Sequence, residues 1–180
     1  MSAIFKRELK SYFTSPLGYI VVLLYLLLGG ALFGYMFRSG YAQIESIFSY
    51  MYNFSFFLIP VLTMRLFSEE KRAKTDQALL TAPIKVSHIV MGKFFAALAV
   101  LGIVNGITLI YQFIFSVMVS VNWVTYLSCL LGTMLFSAAL VALGLFISAL
   151  TENQMVAAMG SVAASLVLMM TDTIASLLSS

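Results

Sequence analysis

The chain has 180 residues, of which 62% are hydrophobic and 9% are charged. A soluble domain carries roughly a quarter charged residues, so this composition excludes a water-soluble globule and indicates an integral membrane protein. The net charge is +3, but the basic residues flank hydrophobic runs, which favours lipid headgroups rather than nucleic acid as their partner. The runs are continuously apolar rather than alternating, so we expect an all-α membrane protein with a single transmembrane domain over residues 1–180.

Residues 1–16 predict an amphipathic helix that lies on the membrane surface. Large apolar side chains recur on one face at helical spacing, and charged side chains lie on the other. The apolar face consists of Ile4, Phe5, Leu9, Tyr12 and Phe13. Pro16 disfavours helical backbone at the residue before it and ends the segment there.

Five hydrophobic runs follow that are long enough to cross a bilayer, because about 20 residues at about 1.5 Å per residue span about 30 Å. The predicted spans are 17–37, 47–67, 94–120, 124–150 and 154–170. The uncharged stretch 94–151 is too long for one crossing, and Trp123 near its middle is typical of a membrane interface, so the stretch is divided there. Pro60 is expected to kink the second span and to free a backbone carbonyl near Phe56.

Residues 68–93 form the only long polar passage and lie between the second and third spans. They contain five of the ten Lys and Arg residues and the only histidine. Nine of the ten basic residues lie in this passage, near it or before the first span, and only Arg38 lies at the opposite ends of the spans. The positive-inside rule therefore places the N-terminus and the polar passage in the cytoplasm.

The composition of this passage favours docking to a soluble partner. Ser68 is expected to cap a short helix with Glu69 and Glu70 in its first turn, where acids suit the positive end of the helix dipole. Ala78, Leu79 and Leu80 then form an apolar patch, Pro83 ends this helix, and a second short helix is expected after it. The alternative is a solvated connector, but a connector would not need these two leucines in water.

Catalytic motifs are not evident in the sequence. One His and one Cys cannot supply a metal cluster or a Cys–His pair. Gly92-Lys93 is the only Gly-Lys pair, but a phosphate-binding loop would need Gly where Ser87 stands and Ser or Thr where Phe94 stands. We therefore expect no metal, no cofactor and no ATPase site within this chain.

A polar stripe on one face of the third span is a second candidate site. Its members recur at helical spacing and are Asn105, Thr108, Gln112 and Ser116. The stripe would either line a substrate route or bond to neighbouring helices, and interhelical bonding is the more frequent explanation. Both alternatives stay open on the sequence.

Several of these residues together resemble a known family. The polar passage reads Arg65-x-Phe67-Ser68-Glu69-Glu70-Lys71-Arg72, then Thr75, then Leu79-Leu80-Thr81-x-Pro83, then Gly92-Lys93-Phe94. This pattern resembles the loop after span two in type-2 ABC transporter permeases. The opening Lys6-Arg7-Glu8-Leu9-Lys10-Ser11-Tyr12-Phe13-Thr14-Ser15-Pro16 is similar to the subgroup of gliding-motility-associated permease subunits.

The resemblance implies a permease subunit in a bacterial cytoplasmic membrane, paired with a second permease subunit and with two ATP-binding cassette subunits that bind the ATP. The N-terminal helix would be the family's connecting helix, and residues 68–93 would contain the coupling helix that contacts the ATPase. The residues implied in coupling are Glu69, Glu70, Lys71, Arg72, Thr75, Leu79, Leu80 and Pro83. Relatives have a sixth span, and this sequence predicts five.

The leading hypothesis is thus the membrane subunit of an ATP-driven exporter that has no ATPase site of its own. The alternative is a non-transporting membrane scaffold that recruits a cytoplasmic partner through residues 68–93. A membrane-embedded enzyme is disfavoured, because the spans contain no cluster of acids, His or Cys.

Overall fold

The computed structural model describes residues 2–40, 44–74, 85–118 and 122–178, and every regular element in these ranges is an α-helix. In chain order the helices are α1 (Ser2–Thr14), α2 (Pro16–Ser39), α3 (Ile44–Thr63), α4 (Arg65–Arg72), α5 (Val86–Met118), α6 (Trp123–Leu150) and α7 (Gln154–Leu178). Within these described ranges, five stretches are long and apolar enough to cross a membrane, namely Gly18–Ser39, Ile44–Arg72, Val86–Val117, Trp123–Leu150 and Gln154–Thr171. The predicted all-α architecture, with five spans behind an N-terminal helix, is confirmed.

Local capping groups set the ends of several helices. Ser15 precedes α2, and its hydroxyl accepts a hydrogen bond from the Gly18 N–H at 3.3 Å. Pro16 occupies the first position of α2, where its missing N–H costs nothing. Gly40 ends α2 at a φ of 73°, a left-handed conformation that glycine adopts without steric cost. Asn122 caps α6, and its side chain accepts hydrogen bonds from the Val124 and Thr125 N–H groups in the first turn of that helix.

A close backbone contact forms the corner between α1 and α2. A Cβ atom at Gly18 would overlap the Tyr12 carbonyl oxygen and lie 2.8 Å from the carbonyl carbon. Only glycine therefore lets the chain reverse so tightly after α1. This corner places α1 beside the ends of the spans rather than in line with α2.

The apolar face of α1 packs partly on α5. Tyr12 is buried, and a Cβ atom at Gly92 would lie 2.9 Å from the Ile4 side chain. Phe13, at the end of the same face, is 38% exposed. One part of the apolar face of α1 thus packs against a span, and another part stays exposed.

Helix α3 is the centre of the bundle and contacts α2, α5, α6 and α7. Pro60 lies inside α3 and cannot donate a hydrogen bond to the Phe56 carbonyl one turn earlier. The Ser165 hydroxyl of α7 lies 2.8 Å from that carbonyl oxygen and can donate to it. A partner from another helix therefore satisfies the backbone group that Pro60 leaves free.

Candidate functional site: a charge cluster where α1, α4 and α5 meet

Helix α4 continues the second span after a break at Met64. Ser68 lies inside α4, and its hydroxyl donates to the Met64 carbonyl, so the prediction that Ser68 caps the helix is wrong. Glu69 and Glu70 consequently lie in the second half of the helix rather than in its first turn. The last turn carries basic residues, which suit the negative end of the helix dipole.

A serine from α6 supports the start of α4. The Ser148 hydroxyl accepts hydrogen bonds from the Phe67 and Ser68 N–H groups, both at 3.1 Å, and donates to the Met64 carbonyl at 2.9 Å. It is fully buried. Backbone N–H groups in the first turn of a helix need an acceptor from outside that helix, and Ser148 supplies one. Helix α4 is therefore fixed to the end of α6.

The described end of the passage 68–93, residues 86–93, is helical. Helix α5 begins at Val86, so residues 86–93 continue the third span instead of forming a separate short helix. This places Lys93 two turns inside α5, where it is only 1% exposed. A buried ammonium group needs ionic or hydrogen-bonding partners, because an unpaired charge in such a place is strongly unfavourable.

The ammonium group of Lys93 has three oxygen partners and one aromatic partner. Its Nζ lies 3.0 Å from Glu70 Oε1, 3.2 Å from Glu8 Oε1 and 2.6 Å from the Leu66 carbonyl oxygen. It also lies 5.1 Å from the centroid of the Phe67 ring, within the range of a cation–π contact. Lys93 thus connects α5 to both α1 and α4.

Arg7 completes the charge cluster, which we define as Arg7, Glu8, Glu70 and Lys93. Its Nη2 lies 2.8 Å from Glu8 Oε1 and 2.6 Å from Glu70 Oε1, so each carboxylate contacts both cations. The formal charges sum to zero. The hydrogen bond to Glu8 raises the pKa of Arg7 above its ordinary value, which keeps this partly exposed guanidinium charged.

A second contact ties α1 to the break between α3 and α4. Arg65 Nη2 donates to the Ser11 carbonyl at 3.2 Å and to the Ser11 hydroxyl at 3.0 Å, and its guanidinium lies 5.4 Å from the Tyr12 ring centroid. The Tyr12 hydroxyl donates to the Leu62 carbonyl at 3.4 Å. Burial raises the pKa of Tyr12, so the phenol stays neutral. A polar cavity of about 300 Å³ lies between this contact and the charge cluster.

The predicted coupling residues of α4 have different surroundings. Glu70 belongs to the charge cluster, and Lys71 donates to the Ala149 carbonyl at the end of α6. Glu69 is exposed at the polar cavity, and Arg72 is exposed. The remaining predicted coupling residues lie outside the described residues and are Thr75, Leu79, Leu80 and Pro83.

Sequence reasoning missed Arg7, Glu8, Lys93 and Ser148 as members of this site. A usable signal was present for two of them: Glu8 is an acid in a basic amphipathic helix, and Lys93 borders an uncharged span. Ionisable groups at the edge of a membrane core usually pair with one another. Ser148 gave no such signal, because serines are frequent in these spans.

The polar stripe of α5 lies mostly inside the bundle. Asn105, Thr108 and Gln112 are buried, whereas Ser116 is partly exposed and donates to the Phe113 carbonyl of its own helix. Asn105 donates to the Leu101 carbonyl at 3.0 Å, also within α5. Thr108 Oγ1 lies 3.2 Å from the Tyr126 hydroxyl of α6. Of the four, Thr108 therefore makes an interhelical hydrogen bond in the described structure, and a substrate route stays a prediction.

We expect Gln112→Leu to raise the thermal unfolding midpoint, Tm, of the purified protein. Both polar atoms of the Gln112 side chain are buried without a hydrogen-bond partner among the described residues, and such a group costs about 1–3 kcal/mol. The isosteric control Thr108→Val removes the hydroxyl near Tyr126 and should lower Tm instead. A lower Tm for Gln112→Leu would mean that the amide has a partner in the membrane, such as a bound water or a substrate.

The fold and the site together define a polytopic α-helical membrane protein whose N-terminal amphipathic helix is joined by ion pairs to the ends of two spans. Within the described ranges, no group of three His, Cys, Asp or Glu residues could hold a metal ion. The ABC-2 type transporter family model matches residues 1–175, so the chain belongs to that family. This confirms the resemblance to type-2 ABC transporter permeases, and the gliding-motility subgroup stays a prediction. Neither a search of curated proteins nor a search of solved structures returned a match.

Proposed function

We propose that this chain is the membrane-spanning permease subunit of an ATP-driven exporter, in which a separate ATP-binding cassette subunit binds and hydrolyses ATP. Family membership supports a role as the membrane component of a transporter. The observation that carries the proposal further is the charge cluster, because it joins α1, α4 and α5 on both sides of the segment that would contact the ATPase.

The proposed route of coupling begins at residues 75–84, which connect α4 to α5. The ATPase would contact Thr75, Leu79, Leu80 and Pro83 in this segment and the exposed side chains of Glu69 and Arg72 on α4. A force on the segment acts on the ends of two helices that Glu70 and Lys93 hold together at 3.0 Å. Ser148 and the Lys71–Ala149 hydrogen bond pass the displacement of α4 to α6. The spans would then move with α4 instead of letting it slide past them.

The proposed orientation places the charge cluster and residues 75–84 in or next to the cytoplasm of a bacterial cell. Nine of the ten Lys and Arg residues lie at this end of the spans, which supports the placement by the positive-inside rule. A second permease subunit, identical or different, would complete the transport path. Nucleotide would be bound by the ATP-binding subunit alone, and this chain would need no cofactor.

The proposal is tested by purifying the tagged chain from its native membranes after cross-linking and identifying bound proteins. We expect an ATP-binding cassette subunit. The rate of ATP hydrolysis by that subunit should change when it is reconstituted in liposomes with this chain. A hydrolysis rate that is the same with and without the chain would favour the alternative, a non-transporting scaffold.

We expect Glu70→Gln to remove more than half of the effect of this chain on ATP hydrolysis while the ATPase still binds. The substitution keeps the size of the side chain but breaks its ion pairs with Arg7 and Lys93, so α4 loses its ionic contacts with α1 and α5. Glu152→Gln is the matched control, since Glu152 is an exposed acid in the turn between α6 and α7 with no ion pair in the described structure. Equal hydrolysis rates for the two variants would argue against coupling through the cluster.

A further inference from the structure

A concave apolar groove opens between α4, α5 and α6, next to the charge cluster. Its volume is about 600 Å³, within the range of about 300–1,000 Å³ that is usual for small-molecule sites. Apart from Glu70 and Lys71, its lining is apolar, with major contributions from Phe67, Ile89, Phe94, Leu145 and Phe146. The proposed coupling role uses Glu70, Lys71 and the Ala149 carbonyl but no other part of the lining.

The groove lies at the depth where lipid chains meet their headgroups. It is lined by the first turns of α5 and the last turns of α6. The candidate span in α5 is 32 residues long, and about 20 residues cross the hydrocarbon core. Lys85 and Lys93 lie at its start, so we place its first turns in the headgroup region. Phe146 is 64% exposed and Val86 is 57% exposed, so the groove is open towards the surrounding lipid.

Lys71 is the cationic residue at the polar end of the groove, and further basic residues lie near it in the chain. Lys71 lines it, and one of the three N–H groups of its ammonium donates to Ala149, which leaves capacity for two more acceptors. Arg72 and Lys74 are exposed just after it in the chain, and Lys85 is exposed just before α5. The charges of Glu70 and Glu8 are balanced by Arg7 and Lys93 in the cluster. An anionic group is therefore the favoured ligand at this end.

We propose that the groove binds an anionic phospholipid, with one acyl chain along α5 and α6 and the phosphate at Lys71. An apolar channel with a basic end, open sideways to one leaflet, matches an amphiphile with a negative headgroup. Basic pockets at the cytoplasmic ends of spans recognise anionic headgroups by the same physics. This inference does not depend on ATP-driven transport, so it can fail or hold separately from the proposed function.

Photolabelling of the full chain in liposomes tests the proposal. The probe is phosphatidylglycerol with a photoreactive group in its acyl chain, at trace level in phosphatidylcholine. We expect labelled peptides from residues 86–94 and 142–149, and we expect unlabelled phosphatidylglycerol to compete more strongly than added phosphatidylcholine of the same chain length. Labelling spread evenly over the five spans, or equal competition by the two lipids, would overturn the proposal.

Two pairs of variants locate the ligand. Ala142→Trp fills the groove and should abolish the labelling of these peptides, whereas Ala163→Trp, at an exposed alanine of α7, should leave it unchanged. Lys71→Gln should raise the phosphatidylglycerol concentration needed for half-maximal competition about fivefold, as expected for one basic group near an anionic headgroup. Lys10→Gln removes the same charge from α1, away from the groove, and should have no effect.

A folding control and two further results decide whether the groove binds the lipid. Normal circular dichroism of each variant excludes misfolding as the cause of lost labelling, and Lys71→Gln still tests the headgroup contact if Ala142→Trp fails to fold. Unchanged labelling in a well-folded Ala142→Trp variant would contradict the groove assignment. Loss of labelling when the ATP-binding subunit or a second copy of the chain assembles would mean that a protein covers the groove, and it would also overturn the proposal.

Discussion

Replacing Lys93 with methionine is expected to lower Tm by an amount on the order of 10 °C. The substitution keeps an unbranched side chain of similar length but removes the ammonium group between Glu8 and Glu70. Two carboxylates then face each other with only Arg7 between them. Removal of one partner from a buried ion pair typically costs about 3–5 kcal/mol, because the remaining charge stays buried without compensation. Thermal unfolding of the purified protein, followed by circular dichroism, measures the effect.

Two further variants separate the charge cluster from the general loss of a lysine. Lys85→Met removes an exposed lysine near the start of α5 and should change stability by no more than about 0.5 kcal/mol. The double variant Glu8→Gln with Lys93→Met leaves one cation, Arg7, and one carboxylate, Glu70, so the formal charges of the cluster again sum to zero. Its Tm should lie above that of Lys93→Met alone. A Tm of Lys93→Met close to that of Lys85→Met would show that the cluster does not stabilise the fold.

Replacing Gly144 with alanine is expected to destabilise the contact between α3 and α6. A Cβ atom at this position would overlap the Thr63 hydroxyl and lie 2.8 Å from the Thr63 Cβ. Thr63 is fully buried and its hydroxyl donates within α3, towards the Ile59 or Pro60 carbonyl, so the side chain has little room to move. Overpacking of this kind typically costs about 1–3 kcal/mol. We therefore expect a lower Tm and a lower yield of folded protein in membranes.

Gly106→Ala is the matched control for this prediction. A Cβ atom at Gly106 of α5 meets no other atom within 4 Å, and alanine favours a helix over glycine by up to about 1 kcal/mol. Gly106→Ala should therefore keep or raise Tm. The double variant Thr63→Ala with Gly144→Ala removes the overlapping hydroxyl and should recover part of the loss. Equal Tm values for Gly144→Ala and Gly106→Ala would contradict the close contact.

The sequence alone determined the class of the fold. Continuous apolar runs indicate membrane helices, because hydrocarbon offers no partner to backbone N–H and C=O groups outside a helix or a closed barrel. The amphipathic period of residues 2–14 predicted α1, and Ser15-Pro16 predicted where it ends. The local sequence is sufficient for both predictions. Pro60 alone also predicted that the Phe56 carbonyl lacks its hydrogen bond within the helix, because proline has no backbone N–H.

Only the tertiary structure decided which residues form the candidate site. Glu8 and Lys93 are 85 positions apart, and periodicity shows which face of a helix is apolar but not which helix it meets. Glu70 could be selected from a run of charges, yet its partners depend on the corner at Gly18 that turns α1 towards α4 and α5. Ser68 was predicted at the start of a helix, but Ser148 of α6 supplies an acceptor to the first turn of α4, so the helix starts earlier. These outcomes were beyond sequence reasoning because the free energy of a buried charge or backbone group is set by atoms from distant parts of the chain.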